Sequence, residues 1–137
     1  MEPRIGEGND MSRMIVPMLA AAAFVLQALP ASAQDAAAGQ RVFAQCRACH
    51  TPDQGGRNGV GPNLWGIYGS PAGKREGFRY SANMQELAQA GLVWTEENLD
   101  KYLNNPKDLV PRGAMAFAGV RNPEQRANLI AYLRTLK

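Results

Sequence analysis

The chain has 137 residues, 45% of them hydrophobic and 20% charged, and its formal net charge is +3. This length fits one small domain. The basic excess is mild and contains no Lys/Arg block or basic helix face, so the charge pattern argues against nucleic-acid binding.

The first part of the chain resembles an export signal. Residues 14–29 form an uncharged apolar run, which Arg13 precedes and the triplet Ala31-Ser32-Ala33 follows. A basic start, an apolar centre and a small-x-small end are typical of a secretory signal peptide. A membrane anchor is disfavoured because the run is shorter than the ~20 residues that a spanning helix needs.

Cleavage after Ala33 gives a signal peptide at residues 1–33 and a mature domain at residues 34–137. Acidic residues ahead of Met11 are unusual for a signal peptide, so translation starts at Met1 or at Met11. The mature domain carries 13 basic and 9 acidic residues, a formal charge of +4.

The mature domain begins with an amphipathic helix that Asp35 caps. This helix leads into Cys46-Arg47-Ala48-Cys49-His50. The C-x-x-C-H spacing is typical of covalent c-type haem attachment. On a helical turn both sulfurs project from one face and can reach the two vinyl groups of one porphyrin. His50 then lies under the iron as the proximal ligand.

Three other interpretations of this motif are weaker. A structural zinc site needs four Cys or His ligands, and the chain holds two cysteines and one histidine. A thioredoxin-like redox pair is expected beside a βαβ pattern, which is absent here. A simple exported disulfide would not explain how so Gly-rich a chain fills its core.

The segment from Thr51 to Gly77 contains eight glycines and three prolines, which rules out long regular elements. It also contains large apolar residues that a disordered linker would lack, namely Leu64, Trp65, Ile67 and Tyr68. We therefore predict ordered loops that wrap a flat apolar group.

The second half of the chain shows helical periodicity only. Ser81 caps a short helix over residues 82–90. Thr95 caps a second helix, which Pro106 ends. Asn122 caps the C-terminal helix, with a proline at its first position and a capping-box Gln. No strand alternation is found, so the pattern predicts an all-α domain.

Taken together, the ordered blocks resemble the class I cytochrome c family of small soluble monohaem carriers, bacterial type, from about Gly39 to Leu136. The blocks are the haem motif, Gly61-Pro62-Asn63-Leu64, Gly77-Phe78-Arg79-Tyr80-Ser81, Trp94, Asn105-Pro106, Met115-Ala116-Phe117-Ala118-Gly119 and Leu129-Ile130-Ala131-Tyr132-Leu133. The resemblance implies four or five helices and Gly-rich loops around one covalently bound haem c. It also implies that Gly39 and Phe43 meet Leu129 and Tyr132 where the terminal helices cross.

A second axial ligand is expected from one of two methionines. Met84 lies in a predicted helix, where core packing is the ordinary role. Met115 lies in a loop beside Gly113, Ala114 and Ala116, small residues that let the backbone approach a haem face. A thioether paired with histidine raises the reduction potential. The residues favour Met115, and the family places its ligand there too.

Other site roles are implied by the resemblance. The carbonyl of Pro62 would accept the Nδ1 proton of His50, and the Tyr102 hydroxyl would point at the sulfur of Met115. The donors to a buried haem propionate would be Tyr80, Ser81 and the indole N–H of Trp94.

The chain also departs from the family. Pro111-Arg112-Gly113-Ala114 replaces the common Pro-Gly-Thr-Lys, and Ser70 stands where an arginine often neutralises the propionates. Met84 stands where an asparagine is common, and Gln45 replaces a lysine. Basic residues expected near the exposed haem edge are Arg47, Arg57, Lys74, Lys107, Arg112 and Arg121.

The resemblance implies a periplasmic electron carrier rather than an enzyme, and we expect a monomer. Its partners would be membrane redox complexes engaged by transient electrostatic docking: a cytochrome bc1-type reductase, and an oxidase or reaction centre in respiration or photosynthesis. One alternative is a peroxidase or gas sensor with an open sixth iron position, which requires that Met115 does not ligate. Another is an electron acceptor dedicated to one periplasmic dehydrogenase.

Overall fold

The computed structural model describes residues 34–137, and the predicted signal peptide lies outside the described residues. Within this range, extended pairing is limited to one isolated bridge between Pro71 and Val93. The all-α prediction is confirmed. The helices are α1 (Ala36–Phe43), followed by a 3-10 turn at Ala44–Cys46, α2 (Ala82–Gln89), α3 (Glu96–Asn104), α4 (Pro106–Leu109) and α5 (Pro123–Thr135).

Short polar side chains begin the helices, as the sequence predicts. The Asp35 carboxylate accepts hydrogen bonds from the first free N–H groups of α1 at 2.8 and 3.0 Å. Ser81, Thr95 and Asn122 each accept one bond from the N–H three residues later. These caps satisfy donors that have no partner inside a helix, and so they determine where α1, α2, α3 and α5 start.

Pro106 has a second role that the sequence analysis missed. Its ring ends α3, and it also occupies the first position of α4, where the missing N–H costs nothing. The backbone of Asn105 is extended between the two helices, with φ of −157°. A proline that stops one helix therefore starts the next.

The terminal helices α1 and α5 cross at a glycine. A Cβ at Gly39 would overlap the backbone carbonyl of Asn128 and lie 2.9 Å from the Cβ of Tyr132. Phe43, one turn later, is fully buried, with its ring centroid 5.2 Å from that of Tyr132. The crossing that the resemblance implies is confirmed, and it forms one side of the core.

The Gly-rich segment is ordered around the side chain of Asn63, which is 2% exposed. Its Nδ2 donates to the carbonyls of Thr51 and Asp53 and to the Thr51 hydroxyl, and its Oδ1 accepts from the N–H of Trp65. One amide thus replaces the hydrogen bonds that regular structure would supply. This anchor brings the loop after the haem motif against the following apolar residues.

The longest helix among residues 34–137 is α5, with 13 residues. None of the helices described there has both the length and the apolar character needed to cross a bilayer.

We predict that Gly39→Ala lowers the free energy of unfolding by about 3 kcal/mol, because the added methyl group forces α1 and α5 apart. Guanidinium unfolding of the haem-loaded protein, followed by circular dichroism, measures the effect. Gln40→Ala is the matched control on the exposed side of α1 and should change stability by less than about 0.5 kcal/mol. Equal effects of the two substitutions would contradict the close approach at Gly39.

Candidate haem-attachment site

The two cysteines lie on one helical turn. Cys46 ends the 3-10 turn, and its carbonyl accepts from the N–H of Cys49 at 3.2 Å and from that of His50 at 2.9 Å. Both cysteine side chains are half-buried and neither forms a disulfide. Side chains three residues apart on such a turn share one face, which attachment to one flat group requires.

The electrostatics of Cys46 do not suit a redox-active pair. Burial, with a smaller contribution from the neighbouring Cys49, raises the pKa of Cys46 to about 11. Catalytic C-x-x-C pairs need an acidic thiol, because the thiolate is the nucleophile. Within residues 34–137, moreover, no three Cys, His, Asp or Glu side chains cluster closely enough to bind a metal ion. The thioredoxin and zinc interpretations therefore gain no support.

The imidazole of His50 is oriented by the loop that follows it. Its Nδ1 lies 2.7 Å from the carbonyl oxygen of Pro62. Because a carbonyl only accepts, Nδ1 carries the proton and Nε2 keeps its lone pair. Burial lowers the pKa of His50, which the bond to Pro62 partly opposes, so the ring is neutral at pH 7. Nε2 of His50 is therefore the ring nitrogen that could bind a metal ion.

Gly61 makes room for that imidazole. A Cβ at this position would overlap the ring and would lie 2.7 Å from Nδ1. The sequence analysis used Gly61 only as part of a family block. Its requirement for glycine comes from this contact, which links the attachment turn to the Gly-rich segment.

Met115 lies half-buried in the loop between α4 and α5. The Tyr102 hydroxyl, on α3, donates to its sulfur at an O–S distance of 3.8 Å. Burial raises the pKa of Tyr102 to about 12, so this hydroxyl keeps its proton at neutral pH. The ring centroids of Tyr102 and Trp94 are 4.9 Å apart, so the two rings pack against each other. The structure thus brings together Tyr102 and Met115.

A contact that the sequence analysis missed connects the Met115 loop to α2. Asn83 is 8% exposed, and its Oδ1 accepts from the backbone N–H of Arg112 at 2.9 Å. The Arg112 guanidinium also pairs with Glu86 at 2.7 Å. Asn83 and Arg112 are 29 residues apart, so no local pattern could have revealed the pair. Met84, the next residue on α2, is buried in the core, as the packing interpretation predicts.

The three candidate propionate donors each keep a hydrogen to donate. Tyr80 Oη accepts from the N–H of Arg75 at 3.0 Å, and Ser81 Oγ accepts from that of Met84 at 3.1 Å, which leaves both hydroxyl protons available. Trp94 is 6% exposed. Its backbone bonds to Gly69 and Ser70, while its indole N–H has no acceptor among residues 34–137.

These residues fit a c-type haem. Two half-buried thiols share one helical turn, a neutral imidazole presents Nε2, and a thioether lies under a hydroxyl donor. The O–H and N–H groups of Tyr80, Ser81 and Trp94 would satisfy an otherwise unpaired buried carboxylate.

Comparisons with known proteins agree. The cytochrome c family profile matches residues 36–137. Cytochrome c2 of Rhodomicrobium vannielii is 46% identical over 114 residues, covering 83% of this chain and 89% of its own length. Cytochrome c2 of Rhodospirillum rubrum is 44% identical over 111 residues, covering 75% of this chain and 98% of its own length.

A solved structure shows the same fold. Cytochrome cH from Methylobacterium extorquens superposes with a TM-score of 0.67 at 40% identity, covering 74% of this chain and 98% of its own. With the profile match and the relatives, this likeness identifies the class. The chain belongs to the class I monohaem cytochrome c family, carries one covalent haem c through Cys46 and Cys49, and is an electron-transfer protein rather than an enzyme.

Proposed function

We propose that this cytochrome is a periplasmic one-electron carrier in which His50 Nε2 and Met115 Sδ would both bind the haem iron. The observation that carries the proposal is the Tyr102–Met115 contact of 3.8 Å. A half-buried hydroxyl aimed at a thioether has little value for packing alone, and it would orient the sulfur lone pair left for the metal. His50 is oriented in the same way by Pro62.

The surroundings of both candidate ligands would tune the iron. The haem, when bound, supplies a one-electron Fe(III)/Fe(II) couple. The carbonyl of Pro62 accepts a hydrogen bond from Nδ1–H, which makes Nε2 a stronger electron-pair donor. The Tyr102 hydroxyl would draw electron density from Met115 Sδ and so would favour the reduced state of a bound iron, which needs less donation.

An open sixth position is the main alternative, and it would require the Met115 loop to lie away from the site. Arg112 ties this loop to Asn83 and Glu86 on α2. His50 is the only histidine of the chain, so no second histidine could serve peroxide chemistry. The contacts favour a closed, six-coordinate carrier over a peroxidase or gas sensor.

We propose that the carrier docks on acidic surfaces of membrane redox complexes, a bc1-type reductase as donor and an oxidase or reaction centre as acceptor. All six basic residues singled out from the sequence are exposed. Arg112 is neutralised by Glu86. The other five have no carboxylate partner among residues 34–137, and they are Arg47, Arg57, Lys74, Lys107 and Arg121.

We predict that Met115→Ala opens the sixth position and lowers the midpoint potential by on the order of 100 mV or more, because a thioether ligand stabilises the reduced iron. Absorption spectra with and without carbon monoxide, together with redox titration, measure the change. The parent should resist carbon monoxide, and the variant should bind it.

Met84→Leu is the matched control, since it replaces the other methionine of the mature domain by an apolar residue of similar volume. Its spectrum and potential should match those of the parent. If Met115→Ala leaves the parent's low-spin spectrum unchanged, Met115 is not the ligand.

We predict that Tyr102→Phe lowers the midpoint potential by the equivalent of about 1 kcal/mol, the net value of one hydrogen bond. The substitution should also reduce the loss of folding stability that the parent shows at alkaline pH. The pKa of the folded phenol, about 12, lies above the ordinary value of about 10. The unfolded chain therefore loses this proton first, and stability falls as the pH rises from about 10 to about 12.

Redox titration and denaturant unfolding at several pH values check both effects. Tyr68→Phe is the control, because it removes one phenol and leaves Tyr102 intact. A potential that falls equally in the two variants would contradict a specific role for the Tyr102 hydroxyl.

We predict that the double variant Arg47→Gln, Arg57→Gln slows reduction by a bc1-type reductase about tenfold at low ionic strength and has little effect at high salt. Stopped-flow kinetics over a range of salt concentrations measures the rate. Lys137→Gln is the control at the chain end. An unaffected rate at low salt would reject docking through this face, and exclusive reduction by a periplasmic dehydrogenase would favour the dedicated-acceptor alternative.

A further inference from the structure

We propose that Arg75 supplies the positive charge that balances the buried haem propionate, from a position other than the one where the family's arginine stands. This inference rests on the proposed donor role of Tyr80, and it does not depend on Met115 as a ligand. Arg75 lies in the Gly-rich segment and belongs to none of the sequence blocks that carry the family resemblance. Its contacts give it a defined place in the site.

The guanidinium of Arg75 is fixed by the loop that follows the haem motif. Its Nε donates to the carbonyl of Asn63 at 3.0 Å, and its Nη2 donates to the carbonyl of Trp65. The backbone N–H of Arg75 donates to Tyr80 Oη at 3.0 Å. Arg75 is therefore half-buried, with its side chain fixed on the loop and its backbone bonded to a candidate propionate donor.

Arg75 has no anionic partner in the described part of the chain. Its acceptors are neutral carbonyls, and the ion pairs among residues 34–137 involve Arg112, Arg126 and Arg134 instead. The two carbonyls replace part of the hydration that a half-buried cation loses, but they leave its positive charge without a counter-ion. A carboxylate of the cofactor would supply that counter-ion.

The positive charge of Arg75 also affects the pKa of Tyr80. Burial raises the pKa of Tyr80, while the N–H and the positive charge of Arg75 oppose the rise. The same charge that favours a phenolate would favour an ionised propionate beside the Tyr80 hydroxyl. Arg75 and Tyr80 would then act on one carboxylate, the first by charge and the second by hydrogen bonding.

Ser70, where relatives often carry an arginine, cannot provide this charge. Its hydroxyl donates to the carbonyl of Ile67 at 2.8 Å, and its own carbonyl accepts from the N–H of Trp94. Position 70 is thus next to another candidate propionate donor but carries only a short neutral side chain. Arg75 reaches the same loop, through Asn63 and Trp65, from five residues further along the chain.

The test is redox titration of haem-loaded Arg75→Gln beside Arg79→Gln, which removes an exposed arginine just after the Gly-rich segment. A fixed cation near the iron favours the reduced state. We expect Arg75→Gln to shift the one-electron equilibrium about threefold to tenfold toward the oxidised form, where tenfold is 59 mV. In millivolts, the shift of the midpoint potential in Arg79→Gln should be less than half of the shift in Arg75→Gln. The midpoint potential of Arg75→Lys should stay near that of the parent.

Equal shifts for Arg75→Gln and Arg79→Gln, or no shift in either, would overturn the proposal. If Arg75→Gln yields no haem protein, the double variant Ser70→Arg, Arg75→Gln decides. Recovery of the parent potential in the double variant supports the proposal. A double variant that is also lost, or keeps a displaced potential, shows that Arg75 only braces the loop.

The spectrum of the parent keeps the two hypotheses apart. If the parent binds carbon monoxide promptly, the Met115 proposal fails. The comparison of Arg75 variants still reports on the propionate, because each potential is measured on the same iron.

Discussion

The hydrogen bond between His50 Nδ1 and the carbonyl of Pro62 joins the two halves of the site. On one side is the helical turn that carries both cysteines, and on the other is the Gly-rich segment with its buried Asn63. Gly61 lets the two come together, because any side chain there would overlap the imidazole. A domain with four short helices and one of 13 residues depends on such loop contacts, since its helices alone could not enclose a cofactor.

In the Gly-rich segment, hydrogen bonds from polar side chains replace those that a helix or sheet would supply. Asn63 satisfies backbone groups of the attachment loop, and Arg75 satisfies two carbonyls of the next turn. Buried backbone carbonyls without partners would be costly, so these side chains stabilise loops that glycine and proline exclude from helices. The proposed role of Arg75 adds a second use for the same guanidinium, as the positive charge that balances a haem propionate.

The position of the Met115 loop depends on contacts between residues that are distant in the sequence. The Met115 loop has no helix of its own, and its position follows from Asn83 and Arg112 on one flank and Tyr102 on the other. Those contacts join α2, α3 and the loop, which are well separated in the sequence. Within Pro111-Arg112-Gly113-Ala114, Arg112 adds an ion pair with Glu86 that joins the loop to α2.

The sequence by itself determined the all-α class, the starts of the main helices and the attachment motif, because caps, periodicity and the C-x-x-C-H spacing are local. It did not reveal the Asn63 anchor, the Asn83–Arg112 contact or the place of Arg75. Each of these depends on which groups meet after the loops have closed. Only the tertiary structure decided them, since hydrogen bonds between residues far apart in the chain leave no periodic signal.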